Sequence, residues 1–430
     1  METALVVGGG GREHAIVRAL APDCTVYVCA SNRNPGVAQL AAGVETLSET
    51  DPTAVADYAE TVGADVAVIG PESALAAGVA DTLEDRGVFA FGPSAENARL
   101  ETDKAFQRQF MRENDILGCP AFETFADADS AADYVESTEG DVAVKPTGLT
   151  GGKGVRVTGD QVTAEEAADY IRTSDWDDWV IEDRLVGEEF TVQAFVANGE
   201  VRPTPAVQDH KRAYEGDEGP NTGGMGSYTD GSLTLPFLTR EEYDDAVAIL
   251  EAAVDALDGY TGVLYGQFML TSVGIFVIEF NARFGDPEAM NTLPALETPL
   301  ADVIRTARDG DSLPDLKFAT LATVCKYAVP AGYPTAPEGG VRIEVDEESV
   351  GEALLYYASV ENRPDGLYTT TSRSFAVVGR GDTIAAAEAE AEDGLTAMGD
   401  GLRARHDVGS EALVERRVDH ASDLRAAGSE

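Results

Sequence analysis

The sequence predicts a multi-domain α/β protein with an N-terminal parallel layer and hairpin-rich sheets behind it, on three observations. A buried-strand run, Thr3 to Val7, passes through Gly8 to Gly11 into the helix-spaced stretch REHAIVRAL. Further apolar runs of strand length alternate with helical spacing through the first hundred residues, as in a parallel sheet covered by helices. Two hairpin signals follow, at Asn198-Gly199 and around Gly274. At 430 residues the chain exceeds one ordinary core, and two to four domains of roughly 100–150 residues are expected.

Taken in order, TVYVC (25–29), DVAVIG (65–70) and VFAFG (88–92) read as strands, with helices over 53–62 and 73–86. The first glycine turn sits where a helix start offers N–H groups to an anion. It is not a dinucleotide fingerprint: the last glycine position holds Glu13 or His14, and the second strand runs into Cys29-Ala30-Ser31-Asn32 with no acid for a ribose. A purely structural turn stands beside the anion reading. Gly70-Pro71-Glu72 and Gly92-Pro93-Ser94 repeat small residues at strand ends, where open α/β sheets place ligands.

From about 120 to 185 the pattern becomes short strands, DVAVKP and KGVRVT, then a helix over 163–172 and the strand WVIED. The hairpin FTVQAFVANGEVRPTPAV follows. The segment QDHKRAYEGDEGPNTGGMGSY is too polar and glycine-rich for an element, so a long functional or disordered loop is expected. Residues 239–257 read as a helix, 260–281 as a hairpin and 287–308 as a helix. From about 318 another α/β stretch runs to an acidic helix and a frayed tail, AAGSE.

A hydrophobic fraction of 43% can fill such cores. The net charge of −46 argues against non-specific binding to nucleic acid or anionic membrane, because the surface repels phosphate. A solvated acidic surface working in high salt is the plain reading. No run of about 18 apolar residues occurs, the N-terminus has no basic leader, and four cysteines lack zinc-like spacing. A cytoplasmic protein is expected. Only six lysines occur, Lys104, Lys145, Lys153, Lys211, Lys317 and Lys326, so each invites a specific explanation.

The stretch KPTGLTGGKGV (145–155) suggests a phosphate loop but fails as a Walker A motif, with Thr147 at the first glycine position and Gly154 where a hydroxyl is needed. The second hairpin is more informative. Joined by Ser272-Val273-Gly274, its strands pair Thr271 with Ile275 and, stepping back, Gln267 with Glu279. Glu279 and Asn281 then share that face. Carboxylate and amide oxygens with open positions suit magnesium bridging nucleotide phosphates; a buried partner for an arginine is the other reading of Glu279. Arg283 suits a small carboxylate held in bidentate fashion, or an ordinary ion pair.

VGGGGREHA, GPE, FGPS, DKAF, VKPTGLTGGKGV, QDHKRAYEGDEGPNTGGMGSY, VIEFNARFGDPE and AGYP occur in an order and spacing that resemble the glycinamide ribonucleotide synthetases, ATP-grasp ligases of purine biosynthesis. The resemblance runs to about residue 335 and is weaker beyond. It implies an N-terminal domain over 1–101, an ATP-grasp domain over 102–310 with a mobile lid at about 120–185, and a C-terminal α/β domain over 311–430. It implies ATP with magnesium (or manganese), glycine and 5-phosphoribosylamine as substrates, no nucleic-acid or membrane partner, and a monomer.

By the same resemblance, Lys104 and Lys145 contact nucleotide phosphates, and Gly151, Gly152, Lys153 and Gly154 form a flap whose N–H groups cover them. Glu182, Asp183 and Leu185 belong to the segment whose backbone reads adenine, with Glu188 near the ribose. Gln267, Glu279 and Asn281 are the implied metal ligands, and Arg283 the holder of glycine's carboxylate. Asp209, Lys211, Asn221, Thr222, Gly223, Gly224 and Asp286 shape the glycine and phosphoribosylamine site, while Gly10 and Gly11 face the ribose 5-phosphate. His210 is either a proton shuttle or a substrate-positioning or structural histidine, and His14 a fold residue. Two departures stand out. Asp183-Arg184 replaces the family's acidic-aromatic pair, and Tyr357-Ala358-Ser359-Val360 replaces an HAGT-like stretch, so the resemblance gives the C-terminal domain its place in the fold and leaves its ligand role open. No fused domain is visible, and a single activity is expected.

Overall fold

The computed structural model describes residues 1–148 and 154–428. Five parallel strands open the chain: Glu2–Val7, Cys24–Ala30, Gly43–Thr46, Val66–Ile69 and Phe89–Phe91. Their order is third, second, first, fourth, fifth. The order reverses at the first strand, so the crevice beyond its carboxyl end is the ligand position of such a sheet. Gly8, at φ +112°, lies there, where a Cβ would stand 2.8 Å from Glu13 and 2.9 Å from Pro71. The helix expected over 73–86 is two, Glu72–Ala76 and Val79–Asp85, because Gly78 between them adopts the left-handed conformation.

The lid is a four-stranded sheet of Phe122–Phe125, Trp179–Asp183, Val142–Pro146 and Arg156–Val157, backed by the helices Ala128–Ser137 and Ala164–Thr173. It has its own apolar cluster of small residues on the helices, such as Ala131, Ala132, Ala167 and Ala168, against Trp179 and Ile181. The strand expected from KGVRVT shrinks to Arg156–Val157 among the described residues.

The larger ATP-grasp sheet runs Glu200–Pro203, Glu188–Ala197, Gly262–Thr271, Gly274–Asn281. Asn198 (φ 56°) and Gly199 (φ 74°) make the first turn, pairing Ala197 with Glu200. Helix Arg240–Ala256 covers the sheet and starts on a Thr239–Glu242 capping box, a device worth about 1 kcal/mol. In the second hairpin the loop is shorter than expected, since Thr271 pairs with Gly274 rather than Ile275. An irregularity beyond Phe268↔Val277 then takes up one residue, Ile278, and Gln267 still pairs with Glu279.

The segment 208–228 is not the structureless loop expected. Gln208–Asp209 pairs with Gly226–Thr229, and Arg212–Tyr214 with Glu218–Asn221. Backbone pairing does this work, which side-chain polarity does not reveal. Gly226–Thr229 also pairs with Ala322–Pro330, a wholly buried strand at the centre of the C-terminal sheet.

The helix expected over 287–308 is interrupted at 296–299, giving Glu288–Ala295 and Leu300–Asp309, with Pro294 and Pro299 at the break. The tail expected to fray is helical to Gly428, within Glu411–Gly428, where Arg425 forks onto Glu242 at 2.8 and 2.7 Å. Val17, Leu20, Met290, Tyr327 and Tyr356 lie in one apolar cluster, so the N- and C-terminal domains share a core. Among the described residues no helix is long and apolar enough to cross a membrane.

Candidate active site

The hairpin register puts Gln267 opposite Glu279 and Tyr265 opposite Asn281. Lys211 donates to Gln267 Oε1 and lies 3.9 Å from Glu279. The Gln267 amide donates to Glu189 at 2.7 Å, and the Asn281 amide to Glu279 at 3.4 Å. Burial pushes the Glu279 carboxyl upward, but Lys211, Lys104 and Lys145 outweigh it and bring the pKa down to about 2. The three expected metal ligands therefore share one face, with Glu279 anionic at any working pH. Among the described residues no group of three or more His, Cys, Asp or Glu is placed to hold a metal. The one carboxylate and two amides of this face would suit magnesium, which favours oxygen donors together with phosphate and water.

Lys104 opens the helix Lys104–Glu113, and its amine donates to the Gly148 carbonyl at 3.0 Å. Burial holds its pKa below the usual lysine value, against the pull of Glu279. Lys145 donates to Glu182 at 2.7 Å and to the Ile278 carbonyl at 3.1 Å. Arg108 grips the same carboxylate at 2.7 and 2.9 Å and the same carbonyl at 2.7 Å. The backbone irregularity at Ile278 is thus a junction of lid and sheet. Gly151, Gly152 and Lys153 lie outside the described residues; Gly154, beside them, accepts from the Tyr170 hydroxyl at 3.0 Å.

The segment expected to read adenine has fewer free groups than expected. The N–H groups of Asp183 and Arg184 donate to Ala121 and Asp141, and the Glu182 carboxylate is taken by Arg108 and Lys145. Leu185 follows, half-buried. Glu188 is buried and bound to the last helix, to His420 at 2.5 Å and Arg417 at 3.2 Å.

A cavity of about 340 Å³ joins Lys104, Glu279 and Asn281 to Arg283, Asp209, Lys211, Thr222, Gly223 and Asp286. Arg283 meets Glu101 at 2.8 Å and Glu72 at 3.7 Å, so the ion-pair reading holds, yet the residue also lines the cavity. Thr222 spends its hydroxyl on the Lys211 carbonyl at 2.8 Å. Gly224 (φ +108°) leaves room for Asp209, whose oxygen would be 2.7 Å from a Cβ there. Asn221 is not brought to this cavity; it lines a cleft of about 500 Å³ with Asp160 and Arg212. Those two residues tie the lid to the 208–228 segment at 2.5 Å.

A second cavity of about 390 Å³ adjoins the first through Arg12, Glu72, Asp286, Ser372 and Arg373, and is lined by Gly10 and Gly11. The Gly10 N–H already donates to Glu13 at 2.7 Å, which leaves Gly11 as the expected donor. His210 is buried, neither ring nitrogen has a hydrogen-bond partner among the described residues, and burial with the charges of Arg405 and Arg417 drops its pKa to about 3. His14, also buried, packs edge-on to Tyr356 at 5.3 Å as a fold residue.

Sequence reasoning missed Arg373. Its guanidinium bonds to the Gly223, Gly224 and Asp286 carbonyls at 2.5, 3.0 and 3.1 Å and to the Asp286 carboxylate at 2.9 Å. Tyr333, Ser372 and Arg373 belong to the C-terminal stretch and form cavity wall, so that domain does more than complete the fold. Nothing in the residues around Arg373 signalled this, since only tertiary pairing brings it across. Glu101, Tyr265 and Glu288 were missed as cavity residues for the same reason, whereas Glu72 belongs to the Gly70-Pro71-Glu72 stretch expected at a ligand position.

Comparison with known proteins is consistent along the chain. Models of the phosphoribosylglycinamide synthetase N, ATP-grasp and C domains match residues 2–101, 102–289 and 323–411. A phosphoribosylamine-glycine ligase of Methanocella arvoryzae is 50% identical over 98% of this chain and 99% of its own length; that of Methanococcoides burtonii is 48% identical with the same coverage. A crystal structure of phosphoribosylamine-glycine ligase from Thermotoga maritima, 24% identical, superposes with a TM-score of 0.79 over 94% of this chain and 99% of that one. A biotin carboxylase domain of Hydrogenobacter thermophilus, 16% identical, shares the fold at a TM-score of 0.74, covering 99% of this chain and 98% of that one. With the three domain models matched in order and relatives aligned from end to end, the chain belongs to the phosphoribosylglycinamide synthetase family.

Proposed function

We propose that the chain joins glycine to 5-phosphoribosylamine at the expense of ATP, giving glycinamide ribonucleotide, ADP and phosphate by way of glycyl phosphate. The observation that carries the reading is a single cavity holding Lys104, Lys211, the Glu279–Asn281 face and Arg283. Glycine's carboxylate must be positioned against the γ-phosphate, and a carboxylate becomes an acylating agent only once it carries a leaving group. Arg283 holds the carboxylate, and Lys104 and Lys145 neutralise the phosphates, so the protein's part is positioning and charge. Gln267, Glu279 and Asn281 would hold magnesium, or manganese, whose chemistry is to spread the charge of the transferring phosphate. Asp209, Lys211, Thr222, Gly223, Gly224 and Asp286 shape the shared site of glycine and the acceptor, Gly11 faces the acceptor's phosphate, and the segment from Glu182 to Leu185 adjoins adenine.

We read the protein further as a cytoplasmic monomer adapted to high salt. Supporting this are four free cysteines, three of them buried, and the net charge of −46. The test of the activity is ADP release from ATP and magnesium in concentrated potassium chloride, with glycine, with and without fresh phosphoribosylamine. Turnover requiring both substrates is expected. Folded protein that binds ATP and releases no ADP with both present would overturn the reading.

A further inference from the structure

Glu188 and Glu189 are neighbours in the strand Glu188–Ala197, so their side chains leave it on opposite faces. Glu189 turns to the expected metal face, where it accepts from the Gln267 amide at 2.7 Å. Glu188 turns away from it, to the last helix. It is 2% exposed there and meets His420 at 2.5 Å and Arg417 at 3.2 Å, and burial holds its carboxyl above the usual range against the pull of Arg417. On the other side of Arg417 lies Asp217, in the turn that joins Arg212–Tyr214 to Glu218–Asn221. Burial pushes this carboxyl up, but the charge of Arg417 leads a pull that brings its pKa down to about 2. Arg405 at 2.7 Å and Arg416 at 2.6 Å grip the same Asp217, yet among the described residues Arg417 is the one cation paired with both carboxylates.

The two segments that Arg417 ties together also meet at Gln267. Its amide goes to Glu189, and its Oε1 accepts from Lys211, the residue that leads into the hairpin. The contacts form a ring, with Gln267 closing it at the metal face and Arg417 closing it behind. Magnesium on the Gln267 oxygen would break the first closure, because a divalent cation there repels the Lys211 ammonium. Arg417 would then be the charged tie left between the hairpin and that strand.

We propose that Arg417 is a positioning residue for the acceptor, holding the hairpin, and with it Lys211, against the nucleotide-side strand once metal and nucleotide have taken Gln267. The inference rests on the ligase reading and on Gln267 as a metal ligand. Nucleotide then releases Lys211, and the pinned hairpin keeps the released ammonium at the cavity, where it serves the acceptor. With no nucleotide bound, Gln267 holds Lys211 and the tie behind is redundant. Loss of Arg417 therefore matters in the nucleotide-bound protein, which separates a positioning role from a purely structural one.

The test is calorimetric titration of the full chain with glycinamide ribonucleotide, which retains the acceptor's ribose phosphate, without nucleotide and with saturating magnesium-ADP. In wild type the nucleotide should tighten binding about fivefold or more, the lower end of ordinary coupling between sites. Arg417→Gln should leave the affinity without nucleotide unchanged and lose the tightening. Should that variant fold poorly, Asp217→Asn keeps the shape and suits the left-handed backbone at that position (φ 62°). It removes the charge at that end of the bridge and should lose the tightening too. Arg416→Gln, at a residue that pairs with Asp217 and not with Glu188, should keep it in full. An Arg417 variant that tightens as wild type does, or that loses affinity equally with and without nucleotide, would overturn this inference alone. So would a wild type that binds the ribonucleotide with no response to nucleotide. A wild type that binds magnesium-ADP and not the ribonucleotide under either condition would overturn the ligase reading and this inference with it.

Discussion

Glu101 and Arg283 meet at 2.8 Å in the lining of the first cavity, and the second Glu101 oxygen accepts the Ala282 N–H at 2.7 Å. Burial lifts the Glu101 pKa, Arg283 resists, and the charge of Glu72 adds to the lift, leaving it at about 7. Below pH 7 the group is neutral and the Arg283 charge is available to substrate; above it an anion competes. Glycine KM should therefore be flat below pH 7 and rise above it, by up to about tenfold per unit. Glu101→Gln should flatten the profile. The linked stability has the same sign: a folded pKa above the unfolded value near 4.3 favours folding below about pH 4 and loses that contribution as pH climbs through 7. A wild-type KM that is constant from pH 6 to 8 would sink the assignment.

Glu279 is the one carboxylate of the expected metal face and faces Lys211, with Lys104 and Lys145 also acting on its charge. Glu279→Gln removes that charge and should lower kcat by on the order of 10²-fold or more, with a higher magnesium requirement. Titrating magnesium against ADP release checks it; an unchanged magnesium midpoint would exclude Glu279 from metal binding.

Glu182 stands between two buried cations, Arg108 and Lys145. Replacing it by Gln strands both, and unfolding in urea should show a loss of about 3–5 kcal/mol. Burial opposes its ionised form, but Arg108 and Lys145 outweigh that and hold its pKa low, so the wild type should lose the contribution only as acid titrates it through that lowered folded value. A variant as stable as wild type would mean that the cluster relaxes by releasing protons from Lys145.

The net charge of −46 is self-repelling. Raising salt from about 0.1 to 1 M shortens the screening length from about 10 to about 3 Å, and Tm should climb throughout that range. Equal stability and activity in dilute buffer would remove the case for salt adaptation.

The sequence made the parallel layer and both hairpins legible, because burial period and turn chemistry are local. It also identified the Gln267–Glu279 pair, though by two offsetting errors: a loop counted one residue too long and a strand taken as regular. The strands within 208–228 were hidden because polar, glycine-rich stretches pair through the backbone alone. Arg373 and Glu101 were hidden because their positions depend on which distant elements meet, and the Gly10 N–H was credited to a ligand because its bond to Glu13 needs the folded turn.

Ile278 gives the hairpin a property best described as parity. With the tight turn at Ser272-Val273 and regular pairing throughout, Ile278 would face Gln267 and Glu279 would fall opposite Gly266, on the side that Phe268 and Val277 commit to the apolar interior. The extra residue changes odd to even and turns the carboxylate to the lysines. Away from Ile278, whose own loss would keep Glu279 opposite Gln267, a single insertion or deletion between Gly274 and Val277 should silence the site while leaving every functional side chain in the sequence, and a second, compensating one should restore its facing. Length changes in this ribbon are therefore tolerated in pairs.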